Sequence, residues 1–253
     1  MANNLSWQKI FKDLKVLEHD FSTPFVITAE QIKQCCQSFK KTNEKEVRIL
    51  CKQDSRESRP KVFKDNGLFL LPVKNGTYNI IKGEGYIDIP EITSEAVVYK
   101  SKLNFELTSS GIGDSEMQHL DFAYASSLIR TFMTDDSLVL TIRGRKYTPE
   151  FEFQVGSQRI RVASVQTEVD AGYEGKDRVV LVEAKNSNVK NTIIRQLYYP
   201  FRQWQIQTGK QVVTLFFDRN HAENTYSIWE FIFENPEDYN SIKLVKSGKF
   251  KII

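Results

Sequence analysis

The chain has 253 residues, which is enough for one large domain or two modest ones. Its hydrophobic content of 40% and charged content of 26% are ordinary for a soluble globular protein. No apolar run reaches the roughly eighteen residues of a membrane span. The net charge of +3 is too small to predict a nucleic-acid partner by itself, so local clusters of charge matter more.

The cysteines and the N-terminus indicate a compartment. Cys35, Cys36 and Cys51 lie in one region without metal-binding spacing, which is typical of reduced structural thiols. The first residues lack the apolar core of a secretion signal. We therefore expect a cytoplasmic protein.

The N-terminal part predicts helices followed by a β-hairpin. Apolar residues recur at helical spacing over 5–19, and Thr28 is suited to cap a second helix over 29–39. Strands are predicted over 68–73 and 77–81, joined by an Asn-Gly turn. Helices followed by a hairpin are consistent with a winged-helix-like module.

A basic segment precedes this hairpin. Its cations lie around Pro60, and they form either a solvated loop or an element that contacts phosphates. The candidate DNA-binding residues of this segment are Lys52, Arg56, Arg59 and Lys61. Patterning weakens after it, so we predict an N-terminal domain over 1–105 and a second domain over 106–253.

The second domain begins with a predicted helix over 115–133, capped by Ser115. Glu116 lies in its first turn, where the helix dipole favours a carboxylate. His119 and Asp121 are interpreted as residues of the polar face of this helix rather than as site residues.

A strand over 137–142 follows, and three cations come directly after it. Arg143, Arg145 and Lys146 surround a glycine, which suits either a backbone turn that approaches phosphates or a solvated turn. A later strand over 159–170 carries Glu168 and Asp170 on one face, because side chains alternate along a strand.

The most informative stretch comes next. After a polar hairpin, four consecutive aliphatic residues over 179–182 predict a strand buried on both sides. This strand stops at Glu183-Ala184-Lys185, where alternation places the two charged side chains on one face. Charged groups are rarely buried without a partner, so this strand end indicates a site. A helix over 190–207 follows and carries Gln196, with Arg195 and Arg202 on another side.

This order of residues resembles the PD-(D/E)XK nuclease superfamily. The pattern of that family is an acidic residue at a strand end, a variable hairpin, and Asp/Glu-X-Lys at the end of the next strand. Here Asp170, twelve intervening residues and Glu183-Ala184-Lys185 fit the pattern, although Val169 stands where the family usually has proline. The run 194–204 looks like that of restriction-endonuclease-type members, and the likeness covers roughly residues 110–220.

The resemblance implies a fold and a site. The fold is an α/β (α+β) structure with a mixed central β-sheet flanked by helices, restriction-endonuclease-like, behind an N-terminal DNA-reading domain. Mg²⁺ would be held by Asp170 and Glu183 with the carbonyl of Ala184, and Glu168 would replace or join Asp170. Lys185 would orient or deprotonate the attacking water, or stabilise the transition state.

Several residues have both a possible site role and a purely structural one. Gln196 would orient water or a carboxylate, or be a plain surface residue of its helix. Glu116 is either a helix-end carboxylate or an additional metal-associated residue. Glu174-Gly175-Lys176 has the same Glu-X-Lys motif but lies in a polar turn, so we discount it as a catalytic motif. A surface ion pair between Glu183 and Lys185 is the structural alternative to a site.

The preferred hypothesis is a bacterial or archaeal type II restriction endonuclease that cuts double-stranded DNA at a short sequence as a homodimer. Besides the basic residues already named, Arg195 and Arg202 are candidate DNA contacts. A repair or recombination nuclease of low sequence specificity is the second hypothesis. A catalytically inactive DNA-binding module with a nuclease fold is the third.

Overall fold

A computed structural model describes residues 3–113, 115–186 and 189–253. Its larger part is a seven-stranded mixed sheet with helices on both faces, and its N-terminal part holds a three-stranded antiparallel sheet with helices. The expected mixed α and β architecture, with a central sheet flanked by helices, is confirmed at this level.

The helices are mostly short. They are α1 (Asn4–Asp13), α2 (Ala29–Cys36), α3 (Thr42–Lys45), α4 (Val47–Leu50), α5 (Lys61–Asp65), α6 (Glu116–Ala125), α7 (Leu128–Met133) and α8 (Arg195–Thr208), with 3-10 turns at Val16–Glu18 and Thr108–Gly111. In the three described ranges, no helix has the length and apolar character needed to cross a membrane.

Among the described residues, the strands form four sheets. They are β1 (Phe25–Thr28), β2 (Leu68–Lys74), β3 (Thr77–Lys82), β4 (Tyr86–Asp88), β5 (Val97–Tyr99), β6 (Val139–Tyr147), β7 (Phe151–Val155), β8 (Gln158–Val162), β9 (Gln166–Glu174), β10 (Arg178–Lys185), β11 (Asn191–Ile193), β12 (Gln211–Asn220), β13 (Thr225–Phe233) and β14 (Ile242–Ile252). The large sheet has the order β5-β14-β13-β12-β10-β9-β6.

The N-terminal part follows the predicted order of helices and hairpin. Thr28 and Gln31 form the predicted capping box at the start of α2. The predicted helix over 5–19 is shorter, because Lys15 adopts a left-handed backbone conformation with φ +53° just after α1. A separate apolar core, which includes Trp7 and Ile32, fills the space between these helices and the sheet.

β10 is an inner strand of the large sheet and ends at the candidate site residues. It pairs antiparallel with β9 and parallel with β12, and α8 makes the crossover between β10 and β12. Its aliphatic residues alternate between two cores. Leu181 faces the core beneath α8, and Val180 faces the core beneath α6 and α7. The aliphatic run therefore reflects burial on both faces, as its sequence indicates.

Several predicted boundaries are wrong, and each has a local cause. The helix expected over 115–133 divides at Ser127, whose φ of +65° ends α6 and turns the chain into α7. The helix expected from 190 begins only at Arg195, because Asn191–Ile193 pairs with β4 as β11.

The β-strand boundaries also differ in two places. Residues after 142 do not form a turn but continue β6 along β9, with register irregularities near Gly144. The strand expected over 159–170 is two strands, β8 and β9, and β9 extends beyond Asp170 to Glu174.

Candidate active site

Glu183 and Lys185 emerge together at the end of β10. Glu183 is only 9% exposed, and the Lys185 side chain is 25% exposed. The Lys185 Nζ donates to Glu183 Oε1 at 2.5 Å. A buried carboxylate is thus paired with an ammonium on the same strand face, as the alternation of side chains predicts. The alternative of an exposed surface ion pair is contradicted by this burial.

Asp170 reaches the same place from β9. Its Oδ2 accepts a hydrogen bond from the backbone N–H of Ala184 at 2.7 Å. The pairing of β9 with β10 runs to Val182 opposite Ala171, and Asp170 is the next residue along β9. The carboxylate therefore takes the Ala184 N–H just beyond the last strand pair. Asp170 lies inside β9 rather than at its end. It lies at the point where the pairing of β9 with β10 stops.

Gln196 is the third contact of this group. Its Nε2 donates to Glu183 Oε1 at 2.8 Å, and its Oε1 accepts from the Thr192 hydroxyl at 2.7 Å. A carboxylate oxygen only accepts, so the NH2 end of the amide faces Glu183, and the Thr192 hydroxyl donates to the amide oxygen. Gln196 therefore orients Glu183 and is not a plain surface residue.

Burial dominates the electrostatics of the two carboxylates. It raises the pKa of Glu183 to about 7, an effect that Lys185 opposes and the charge of Asp170 reinforces. Burial also raises the pKa of Asp170, against the hydrogen bond from Ala184 and the charge of Lys185. For Lys185, burial alone would lower the pKa, but Glu183, Asp170 and Glu116 together raise it. Burial therefore makes it costly to ionise both carboxylates, and a bound cation would lower that cost.

We expect the metal-free protein to lose stability as the pH rises from about 4.5 to about 7. The pKa of Glu183 is raised from 4.5 to about 7 on folding, so the folded chain binds this proton more tightly than the unfolded chain. The contribution of Glu183 to the free energy of unfolding is fully present below pH 4.5. It is lost as the pH rises to about 7, and the loss is roughly 3 kcal/mol at most.

Urea unfolding at several pH values in EDTA measures this loss. Glu183→Gln is the control, since a glutamine cannot ionise and its pH profile should be flatter over this window. Asp170, whose raised pKa gives a slope of the same sign, remains in both proteins. Parallel profiles for the two proteins would contradict the assignment to Glu183.

The two additional carboxylates lie at the rim. Glu116, the first residue of α6, is near enough to help raise the pKa of Lys185. Glu168 is exposed, lies 3.3 Å from Arg145 and contributes to the raised pKa of Asp170. Across the described ranges, no group of three or more His, Cys, Asp or Glu side chains is arranged to hold a metal ion. The described candidate ligands are therefore the two carboxylates of Asp170 and Glu183 with backbone oxygen, and Mg²⁺ commonly uses only one or two carboxylates.

The basic residues of the N-terminal segment differ in their surroundings. Arg56 pairs with Asp88, and Arg59 donates to the carbonyl of Leu68. These two guanidinium groups hold the segment to neighbouring parts of the chain. The exposed members are Lys52 and Lys61.

The cations of β6 lie on the sheet edge near Asp170. Arg143 pairs with Asp121, which agrees with a polar-face interpretation of that aspartate, and Arg145 pairs with Glu168. Lys146 is exposed. His119 is buried and lines a cavity together with Phe122 and Tyr226. Its interpretation as a residue of the polar face of the helix is therefore wrong.

The two arginines of α8 differ in how deeply they are buried. Arg195 lies 3.8 Å from Asp54. Arg202 is buried, and its guanidinium donates to the backbone carbonyls of Glu152 and Pro236. A DNA contact does not fit this position, because the group is already used inside the protein.

Sequence patterns did not reveal two residues that act on the site. Thr192 orients Gln196 across the junction of β11 and α8. Asp54 accepts a hydrogen bond from the Ile193 N–H through its carbonyl, and its charge adds to the raised pKa of Glu183. Asp54 lies far away in sequence, so no local pattern could have indicated it.

Residues 81–251 match a family model described as a domain of unknown function, DUF6997. The chain belongs to this family. A second domain of unknown function, DUF6996, matches residues 4–80. No curated protein and no solved structure matches the chain.

The DUF6997 match contains all the candidate site residues except Asp54 and the N-terminal basic segment. The two matches meet inside β3, whereas the domain boundary predicted from the sequence lies after residue 105. That boundary stays a prediction.

Proposed function

We propose that this protein is a Mg²⁺-dependent nuclease of the PD-(D/E)XK type that hydrolyses phosphodiester bonds in double-stranded DNA. The observation that carries the proposal is the convergence of Asp170, Glu183 and Lys185 from two adjacent strands, with Gln196 bonded to Glu183. The order of the elements supports it as well. An acidic strand, a hairpin, the Glu-X-Lys strand and a helix occur in the order that the resemblance requires.

The donor set fits a hard divalent cation. Asp170 and Glu183 offer carboxylate oxygens, and backbone oxygen at Ala184 adds a neutral ligand of the kind that Mg²⁺ accepts. When bound, Mg²⁺ supplies positive charge for the developing phosphorane and acidifies a coordinated water. Burial raises the pKa of both carboxylates, and the charge of a bound divalent cation would offset the cost of keeping them ionised.

Lys185 acts as a charged donor. Its pKa is raised by the carboxylates around it, so the ammonium keeps its proton at neutral pH. An ammonium that keeps its proton is a poor base but a strong hydrogen-bond donor toward a phosphate oxygen or the attacking water. Of the roles considered for Lys185, transition-state stabilisation and water orientation are therefore favoured over deprotonation of the water.

Gln196 holds the Glu183 carboxylate in one orientation. Gln196→Ala removes a hydrogen bond to a charged group, a contact worth about 1.5–3 kcal/mol. We expect DNA cleavage to slow by about tenfold or more, with unchanged duplex affinity. Gln207→Ala, on an exposed position of the same helix, is the matched control for single-turnover cleavage assays. Equal rates for both variants would remove Gln196 from the site.

The finer architecture belongs to the same proposal. We assign the large sheet that contains β9 and β10 to a restriction-endonuclease-like core, and the N-terminal helices and hairpin to a winged-helix-like DNA-reading part. The enzyme would act as a homodimer on a short palindromic sequence, because a two-fold site is matched by a two-fold protein.

One observation favours the alternative of a nuclease with low sequence specificity. Arg56 and Arg59 of the predicted DNA-reading segment are used in contacts within the chain. Fewer side chains are then available in that segment for contacts with base edges.

Incubation of the protein with plasmid DNA and Mg²⁺ tests the proposal and this alternative together. Discrete fragments are expected for a site-specific enzyme, and a smear is expected for an enzyme of low specificity. A plasmid that remains intact but shifts on a gel would indicate a DNA-binding module without catalysis. A plasmid that is neither cut nor shifted would contradict both the nuclease and the DNA-binding proposals.

A further inference from the structure

The positive charge of the chain is concentrated on α3 and α4, upstream of Arg56 and Arg59. Residues 40–52 contain five cations and two carboxylates, which give this stretch a net charge of +3. The whole chain also has a net charge of +3, so the other 240 residues carry no net charge between them. A local cluster of this kind is a better indicator of a polyanionic partner than the total charge of the chain.

The five cations lie on the outer side of α3 and α4. Val47 and Leu50 of α4 are buried in the N-terminal core. The carbonyls of Glu44 and Leu50 accept hydrogen bonds from the side chains of Ser6 and Trp7, which lie on α1. These contacts fix the inner side of the two helices against α1. The cations are all exposed, and they form a surface that we call the basic face: Lys40, Lys41, Lys45, Arg48 and Lys52.

The spacing of the cations keeps them close together. Lys41 and Lys45 flank α3, and Arg48 and Lys52 are likewise four residues apart at α4. The Glu46 N–H donates to the Thr42 carbonyl at 2.9 Å, so α4 follows α3 without an intervening loop. Like charges four residues apart on a helix repel each other. A polyanion bound across the basic face would relieve this repulsion.

The basic face ends beside the candidate active site. Lys52 is two residues from Asp54, whose backbone carbonyl accepts a hydrogen bond from the Ile193 N–H at 2.9 Å. Ile193 is the last residue of β11 and comes directly before the helix that carries Gln196, the partner of Glu183. A polyanion on the basic face would therefore continue toward the carboxylates of the site.

The chemistry of the basic face suits a phosphate backbone. Exposed ammonium and guanidinium groups neutralise phosphates, and such contacts position a duplex without reading its sequence. An interfacial membrane helix needs an apolar face beside its cations. Here Val47 and Leu50 face the core of the protein instead, so charge dominates the surface.

We propose that the basic face docks the phosphate backbone of double-stranded DNA and leads it to the candidate active site. DNA as the partner rests on the nuclease function proposed above. The docking contact moves from Arg56 and Arg59, which are used within the chain, to the preceding helices. Its phosphate contacts hold the duplex but do not select a sequence.

Duplex binding in EDTA measures this contact without any cleavage. A triple variant combines Lys41→Gln, Lys45→Gln and Arg48→Gln, and the anisotropy of a fluorescent duplex gives its affinity over a series of salt concentrations. The logarithm of the affinity falls with the logarithm of the salt concentration, with a slope of about −0.9 for each neutralised phosphate. The slope of the triple variant should be less steep by about 2–3, and its affinity at one fixed salt concentration should be lower by about tenfold or more.

The matched control removes three exposed lysines from the large-sheet part of the chain. Lys100→Gln, Lys176→Gln and Lys251→Gln together change the net charge by the same amount, and the salt slope should stay that of the parent protein. Both triple variants should keep the thermal unfolding of the parent, because exposed substitutions are nearly neutral. Arg48→Lys, which keeps the charge, should bind like the parent. Equal slopes for the two triple variants would overturn the proposal.

The outcomes separate this proposal from the nuclease proposal. Plasmid that the parent protein does not cut with Mg²⁺ would sink the nuclease function, while a reduced slope in the basic-face variant would still support the docking contact. Plasmid that is cut, with duplex binding by the basic-face variant equal to that of the control, would overturn the docking contact alone. Binding of the parent to vesicles of phosphatidylserine and phosphatidylcholine, without binding to the duplex, would also overturn it and assign the basic face to a membrane.

Discussion

Lys185→Ala is expected to reduce the DNA cleavage rate by about 10²–10³-fold while duplex binding remains measurable. The ammonium is the only positive group that contacts the carboxylates of the site in the described part of the chain, at 2.5 Å from Glu183. Its removal takes away a charged donor from the developing phosphorane. Because Lys185 also lowers the pKa of Glu183, the variant should be assayed near pH 8.5 with saturating Mg²⁺. Under these conditions a difference in the single-turnover rate reports the chemical step.

Lys176→Ala is the matched control for this experiment. Lys176 belongs to the second Glu-X-Lys sequence, but it is exposed in the turn between β9 and β10. Its removal should leave the cleavage rate within about twofold of the parent value, since exposed substitutions away from a site are nearly neutral. If Lys185→Ala cuts as fast as Lys176→Ala, the role given to Lys185 is wrong.

Asp170→Asn and Glu183→Gln are expected to abolish both cleavage and the stabilisation of the protein by Mg²⁺. A ligand at a hundred times its dissociation constant stabilises the folded state by about 2.7 kcal/mol. For a chain of this size, this energy raises the midpoint of thermal unfolding by several degrees. Each variant removes one carboxylate of the proposed pair, so thermal unfolding with and without Mg²⁺ should give coincident curves.

Glu168→Gln separates a ligand from a neighbouring charge. Glu168 is exposed and pairs with Arg145, so its loss should preserve most of the Mg²⁺ effect. An equal loss in all three variants would indicate that Glu168 belongs to the metal site. Full Mg²⁺ stabilisation in Glu183→Gln would remove Glu183 from it.

The centre of the site could be predicted from local sequence. The aliphatic run of β10 fixes its burial on both faces, and the period of two then places Glu183 and Lys185 on one face. The sequence also predicts that a helix carrying Gln196 follows β10, although this helix begins at Arg195 rather than at 190. These contacts depend on residues that are near one another in sequence.

The outer contacts of the site depend on long-range pairing. Asp54 reaches the site because the N-terminal segment packs along β11, and β11, which carries Thr192, is paired with β4. Neither pairing has a signal in the flanking residues. A single sequence therefore predicts the groups at the end of β10 better than the groups that position them.

The burial of charged residues was the other source of error. Arg202 shares a helical side with Arg195, and the spacing alone gives both the same exposure. Arg202 is buried, and its burial is tolerated because the carbonyls of Glu152 and Pro236 accept hydrogen bonds from its guanidinium. His119 is buried for a comparable reason, since the turn after β12 covers that part of α6 and brings His221 against it.

A crystal of the full chain soaked in Mn²⁺ tests the pairing of Asp170 and Glu183 most directly, because Mn²⁺ replaces Mg²⁺ and gives an anomalous signal. We predict one strong anomalous peak within about 2.0–2.3 Å of oxygens from both carboxylates, with the Lys185 ammonium turned toward the adjoining solvent. A Mn²⁺-soaked crystal with no peak between these two carboxylates, and with Glu183 still bonded only to Lys185 and Gln196, would contradict the account.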